Sequence, residues 1–345
     1  MLRQLARLTR PMPAAGAGAM ALAVYADAED ALVAARESGF EGVACVDDAA
    51  RALDVLCDIW QQTRDPEVER WARGLLEFVL WMQGGDGRWW NFVYDWSGTR
   101  NETGVTSSTG ENFWHARALL GVSAAWLAFG DERALAALRR GIDHAIARDA
   151  PADVRALHIV LGLRLLADGA DELAPTVLGW AREVAACRVD DVLMNNPDER
   201  SEPHLWAHVQ EGVLTQAGRM LAAPELIDVA RKSAEALWTP IVRLGFDRPS
   251  VTPYDVSCAV YCLDRLAAVD DGSWRDLAGR ARAWFDLVDG TGRPVYDRTS
   301  GRVADGVDDG RVSRNSGAEA NLVAAEALPV DAANAVGPAV ALLPP

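Results

Sequence analysis

Basic residues are scarce in this chain: 34 against 50 acidic ones in 345 residues, a formal charge of −16. Binding a nucleic-acid backbone needs clustered Lys and Arg, so a polyanionic partner is not expected. No segment reaches the roughly 18 consecutive apolar residues that suggest a membrane span. Arg3, Arg7 and Arg10 precede an uncharged stretch from Pro11 to Ala26, but Pro11, Pro13, Gly16 and Gly18 interrupt it. It only imitates a secretory signal, and a cytoplasmic, uncleaved start is expected. The five cysteines are odd in number and sit mostly in apolar helical patterns, which argues against a disulfide framework. Cys258 and Cys262 share one helix face and read as small core residues. There is no Gly-rich phosphate loop and no GxSxG elbow, so neither a nucleotide enzyme nor a serine hydrolase has support, and no cofactor is expected. No Ser-, Pro- or Gly-rich linker divides the chain, which points to a single domain over 1–345.

What is present is a repeat. Six times, at intervals of roughly 40–65 residues, an apolar helical stretch opens with polar or aromatic residues. The openings are Asp47 and Asp48; Glu111 and Asn112; Asp153 and Arg155; His204, Trp206 and His208; Tyr254 and Asp255; and Asn315 with Glu319. A second helical stretch without such a cluster follows each of the first five. Inner and outer helices alternating at this period predict an all-α (α/α)6 barrel, with the inner N-terminal ends aimed at one pocket. A helix over Ala19 to Glu37, stopped by Gly39, would supply the twelfth member.

Three long connections, near residues 84–110, 189–203 and 289–314, each precede an inner helix; long loops in a compact domain often carry function. The first is aromatic. Alternation at Trp90, Phe92, Tyr94 and Trp96 suits a short strand turning at Ser97 and Gly98. Trp89 and Trp90 are candidates to stack on a sugar ring, or else pack on the rim.

Asp47 and Asp48 are the leading candidates for chemistry. One would serve the helix N-terminus, where the dipole favours a carboxylate. The other, about 100° around the helix, would face a cavity. Asp48 is preferred there because Arg51 lies one turn on. Glu111 and His115 share the face of the second inner helix, behind Asn112. His204, His208 and Glu211, spaced four and three apart, make a polar stripe. A zincin places Glu directly after its first His, and here Leu205 follows His204, so a metal site is not expected. Asn315 and Glu319 are four apart, with Tyr254 and Asp255 placed near them in the ring.

Four segments together resemble a family. They are Gly42 to Leu53, with its Asp-Asp-x-x-Arg-Ala-Leu run; Asp86 to Phe92, with Tyr94, Asp95 and Trp96; Ala116 to Gly121; and Asn315 to Glu319. The chain from about Leu5 to Leu328 is similar to the six-hairpin, glycosidase-like domain often fused behind bacterial glycosyltransferases. Two features depart from that pattern: Ala49 stands where the fused proteins usually carry Asn, and Ser107 to His115 replaces an acidic, His-containing run. No transferase domain is expected within these 345 residues. The adjacent aspartates also resemble those of (α/α)6 endo-α-mannanases, by that pair alone. The resemblance implies the six-hairpin toroid and a carbohydrate context.

The function expected is therefore glycoside hydrolysis of an oligo- or polysaccharide, which needs one protonated and one ionised carboxyl group. Asp47 or Asp48 would be one, and Glu111 or Glu211 the other, on separate helices and thus at an inverting spacing. Arg51, Trp89, Trp90, Asn112, His115, His204, Trp206, His208, Tyr254, Asp255, Asn315 and Glu319 are the residues expected to hold the sugar. The alternatives are a sugar epimerase or polysaccharide lyase, with His204 and His208 moving protons, or a non-catalytic glycan-binding protein. Fold alone cannot choose among these.

Overall fold

A computed structural model describes residues 1–110, 112–147, 149–270 and 273–344. In chain order its helices are α1 (Leu2–Leu8), α2 (Val46–Thr63), α3 (Pro66–Trp81), α4 (Phe113–Phe129), α5 (Glu132–Ala147), α6 (Ala152–Ala167), α7 (Ala174–Ala186), α8 (Gln210–Met220), α9 (Pro224–Ala236), α10 (Trp238–Arg243), α11 (Pro253–Ala267), α12 (Ser273–Ala283), α13 (Ala318–Ala327), α14 (Pro329–Asn334) and α15 (Val336–Val340). They fall into two compact units. The first covers Met1–Arg148, Tyr296–Asp305 and Ser313–Pro345; the second covers Asp149–Val295 and Gly306–Val312.

The first unit contains the hairpins α2–α3 and α4–α5, and α13 packed by α1. In α2, every residue from Asp48 to Leu53 is buried. In α4 burial is unbroken from His115 to Ala125. By contrast α3 is amphipathic, burying Val68, Trp71, Ala72, Leu75, Leu76, Phe78 and Val79 while its charged residues face out. Local signals set the helix ends. Asp65 caps α3 by accepting from Glu67 and Val68 N–H, with Pro66 in the first turn. Asn112 caps α4, and Gly130 closes it in the left-handed region. The second unit contains α6–α7, α8–α9 with short α10, and α11–α12. Thr252 and Asp255 form a reciprocal capping box on α11.

Short strands connect these helices. In the first unit β1 (Thr9–Pro11) pairs β2 (Met20–Leu22), β3 (Tyr25–Ala26) pairs β4 (Leu32–Val33), and β5 (Ala44–Cys45) pairs β6 (Phe92–Val93), all antiparallel. The expected helix over Ala19 to Glu37 is therefore not formed. Its Ala-rich start suits a helix by propensity, but Pro11 and Pro13 precede it, and the backbone reaches Met20 through Gly16 and Gly18 at positive φ. Strand β2 then lies on α3 where Gly74 leaves room: a Cβ there would come 2.8 Å from Met20 Cγ. Tertiary packing overrides propensity here. Packed on α13 instead are α1, whose Leu2, Leu5 and Leu8 are buried, and the following short helix α14.

The expected turn at Ser97 and Gly98 is present. Tyr94 N–H donates to Thr99 O, and Gly98 has φ 92°. Among the described residues no helix is long and apolar enough to cross a membrane.

A close contact joins α2 and α4, the helices that carry Asp47, Asp48 and Arg117. Gly121 of α4 meets α2 so tightly that an added Cβ would lie 2.9 Å from Ala50 O and 3.1 Å from Ala50 Cα. Neither backbone atom can move cheaply. Gly121→Ala should cost about 1–3 kcal/mol, read as a lowered denaturant midpoint at unchanged m; an unchanged midpoint would refute this packing.

Candidate active site

The residues Asn91, Cys45, Asp47, Asp48, Arg51, Arg117 and Glu319 come together in the first unit, at the start of α2. Strand β5 delivers the chain to the helix, and Cys45 is its N-cap: the sulfur accepts from Asp48 N–H at 3.4 Å. Neither aspartate is the N-cap that one of them was expected to be, although both lie in the first turn of the helix. Asn91 serves the other free donors, its carbonyl accepting from Val46 N–H at 2.8 Å and its side-chain oxygen from Asp47 N–H at 3.1 Å. Sequence reasoning overlooked Asn91 and Cys45. Both do lie in the segments, Gly42 to Leu53 and Asp86 to Phe92, that carry the family resemblance.

Arg51 is the hub. Its Nη2 lies 3.1 Å from Asp47 Oδ1, 3.1 Å from Asp48 Oδ1 and 2.9 Å from Glu319 Oε2. Arg117, from α4, donates to the same Asp47 oxygen. Asp48 Oδ2 accepts from the Cys45 thiol at 3.2 Å. Burial keeps that thiol's pKa well above its usual value, so it retains its hydrogen as a donor. Arg51 and Asp48 are buried, and Asp47 nearly so, while the Glu319 side chain is 48% exposed.

The two aspartates are driven apart. Burial, reinforced by Asp47 and Glu319 and only partly offset by Arg51, raises the Asp48 pKa to about 7. Burial acts on Asp47 too, but Arg117 and Arg51 outweigh it and hold its pKa below the usual value. One carboxyl therefore carries a proton near neutrality and its neighbour does not. Asp305 is a third perturbed acid. It accepts from Gly317 N–H at 2.6 Å, and burial raises its pKa to about 6. Tyr25, bonded through its hydroxyl to Glu37, is close enough for Asp48 and Glu319 to raise its pKa further, after burial. Neither Tyr25 nor Asp305 was singled out in the sequence.

The remaining candidates lie elsewhere. Glu111 is outside the described residues. Asn112 is spent as the α4 cap, accepting from His115 N–H. His115 is fully buried, with Nε2 3.2 Å from Gly141 O. Trp89 is a core residue whose indole donates to Val79 O at 2.8 Å. Trp90 is half-buried, with the Arg100 guanidinium 5.2 Å from its ring. Asn315 is exposed.

In the second unit, His204, His208 and Glu211 do not form a helical stripe, because α8 begins only at Gln210 and Ala207 adopts φ 57°. His208 and Glu211 meet at 3.1 Å in full burial. Glu211 also accepts from the Ser233 hydroxyl (2.6 Å) and the Trp238 indole (3.0 Å). These donors and His208 outweigh burial and hold its pKa below the usual value. His204 is separate and partly exposed. Its Nδ1 contacts Trp206 O at 2.8 Å, its Nε2 lies 3.3 Å from Asp153, and its ring stacks on Trp206 at 3.9 Å. Burial lowers its pKa, but Asp153 and the Trp206 carbonyl more than reverse this. Tyr254 is buried, and Asp255 accepts from Thr252 N–H in the capping box.

No family model matches the sequence, and no curated protein matches it either. The architecture is that of the (α/α)6 barrel, and solved structures of this class align along most of the chain. They include a sugar epimerase from a ruminal bacterium (13% identity, 90% of this chain and 92% of that one, TM-score 0.69). A D-mannose isomerase aligns over 96% and 95% at 9% identity, TM-score 0.66. An α-mannanase of family GH76 from Bacteroides thetaiotaomicron aligns over 85% and 87% at 12% identity, TM-score 0.54.

The opposed pKa shifts have opposite consequences for stability. Asp48 binds its proton more tightly when folded. Its contribution is intact below about pH 4 and is lost as pH rises to about 7. Asp47 contributes above its unfolded pKa and loses that on acidification. At pH 8, Asp48→Asn should therefore melt higher than wild type, by roughly 1–3 kcal/mol of added stability. Asp47→Asn should lose up to about 3 kcal/mol at pH 7. Melting curves from pH 4 to 8 check both signs. Cys45→Ala removes a donor to the Asp48 carboxylate and should raise its titration midpoint, read by carboxyl carbon NMR; a midpoint that falls would refute the thiol contact.

Proposed function

We propose that this protein is a glycoside hydrolase acting on an oligo- or polysaccharide, with Asp48 as general acid and Asp47 as the ionised carboxylate. The observation that supports this is the pair itself: adjacent carboxyls around one guanidinium, with pKa values pushed in opposite directions. Divergent carboxyl pairs of this kind divide the acid and base roles at neutral pH. One oxygen of each sits 3.1 Å from the same Arg51 nitrogen. That holds the pair closer than the roughly 6.5–9.5 Å an inverting enzyme needs for its water. The proposal is accordingly retention, in place of the inverting arrangement expected from carboxyls on separate helices. Asp48 protonates the leaving oxygen as Asp47 attacks the anomeric carbon; Asp48 then takes a proton from the water that attacks that carbon and releases Asp47. Arg117 and Arg51 keep Asp47 charged and aimed. Half-exposed Glu319 and the Tyr25 hydroxyl are placed to bind sugar hydroxyls. Glu211 has no part in this scheme, because its oxygens are occupied in a sealed network.

A second reading, sugar epimerisation, draws on the higher TM-scores of the epimerase and isomerase and on the half-exposed His204 beside Asp153. It would move a proton through His204, with Trp206 as the stacking surface. His208 is too deeply enclosed to reach a substrate.

Because one structural neighbour is an α-mannanase, α-mannan is the first substrate to test. Hydrolysis should release reducing ends, and Asp48→Asn should lower turnover by about 10²-fold or more. The wild-type rate should fall on the alkaline side with an apparent pKa near 7 as Asp48 loses its proton. Proton NMR of the first-formed anomer reports retention. Full turnover in Asp48→Asn would sink the hydrolase assignment, and deuterium uptake at C2 of a reducing sugar in D2O would replace it with epimerisation.

A further inference from the structure

We propose that the second unit holds a binding site for a phosphate group, in a cavity at the C-terminal ends of α8 and α11. The cavity measures about 180 Å³ and is lined by Thr215, Gln216, Arg219, Asp264, Arg265 and Val269. This is ample for a five-atom oxyanion, since about 10–15 Å³ of such space holds one water.

The charges around it leave two cations over. Both oxygens of Asp264 are taken by Arg282, one at 3.1 Å and the other shorter. Asp270, nearby in sequence, pairs with Arg231 at 3.1 Å. Arg219 is exposed, and Arg265 lies with its guanidinium 3.7 Å from the Tyr261 ring centre. Neither arginine forms an ion pair with a carboxylate among the described residues. In a chain with a 16-charge acidic excess, two arginines without a carboxylate partner line one cavity, Arg265 held there by the Tyr261 side chain. Gln216 adds a donor. Its oxygen accepts from the Tyr261 hydroxyl at 2.8 Å, which leaves the amide N–H groups as its uncommitted half.

Arginine in a last helical turn is favoured by the helix dipole alone, so the carbonyls must be accounted for. In α8, Ala217 O and Gly218 O accept from Leu221 and Ala223 N–H. In α11, Asp264 O and Arg265 O accept from Ala268 N–H, and Leu266 O from Val269 and Asp270 N–H. These five carbonyls are served by backbone N–H groups and do not use the arginines. Two arginines lining one space, with an acid already paired beside them, match the charge of a phosphate group. The site does not depend on the activity proposed above.

The test is thermal melting of the full chain in increasing inorganic phosphate at constant ionic strength, with acetate as the parallel series. Wild type should show a saturable rise in Tm with phosphate and little with acetate. Arg219→Gln, a surface change that leaves packing alone, should weaken the apparent phosphate affinity by about tenfold or more. Arg265→Gln should do the same. Arg139→Gln, an exposed arginine on α5, removes one charge elsewhere and should leave the response unchanged. No saturable response, an equal response to acetate, or an Arg219→Gln curve matching wild type would each overturn the proposal.

Discussion

The Arg51 guanidinium is the interaction on which the first unit depends. One nitrogen reaches Asp47 and Asp48 of its own helix and Glu319 of α13. Arg117 brings α4 to the same Asp47 oxygen. Buried charges cost several kcal/mol each unless they are paired and hydrogen-bonded. These helices therefore share an arrangement in which every charge has a counterpart. With Asp48 protonated, Asp47 and Glu319 balance Arg51 and Arg117. Burial raises the pKa of Asp48, and that balance adds to the shift, since ionising it would place a third carboxylate against two cations.

Small residues make the arrangement possible. Gly121 lets α4 approach the Ala50 backbone, which brings Arg117 within reach of Asp47. The start of α13 is secured from outside the helix. Ser316 N–H donates to Ala26 O, Ala318 N–H to Val24 O, and Gly317 N–H to Asp305. Strand β3 thus ties Tyr25 to the helix that carries Glu319. Free N–H groups at a helix start attract negative charge; here the backbone and a carboxyl already serve them, which leaves Glu319 free to turn toward Arg51.

The second unit uses buried polarity differently. His208, Glu211, Ser233 and Trp238 form a closed set of hydrogen bonds with no exposed member. Such a network fixes local structure because each member would be costly to leave unpaired. His204, only four residues before His208, sits in the open against Trp206. Two histidines four residues apart thus differ in environment, one sealed in a network and the other partly exposed.

The helical repeat, most of the hairpin pairs and the candidacy of Asp47 and Asp48 were legible in the sequence, because amphipathic periodicity and capping residues are local signals. The turn at Ser97 and Gly98 was legible for the same reason. Other features were not. The Ala19 to Glu37 stretch has helical composition, yet pairs as strands because α3 offers Gly74 as a seat for Met20. The spacing of His204 and His208 suggested one helical face, but α8 starts later and splits them. Only the folded chain could bring Glu319 to Arg51 across 268 residues of sequence, or assign the α2 cap to Cys45. Only the approach of Arg117 to Asp47, with both carboxyls buried, could decide which aspartate keeps its proton. Sequence carries the chemistry of each group and its near neighbours; solvent exposure and long-range charge pairing, which set pKa and reach, arise with the tertiary fold.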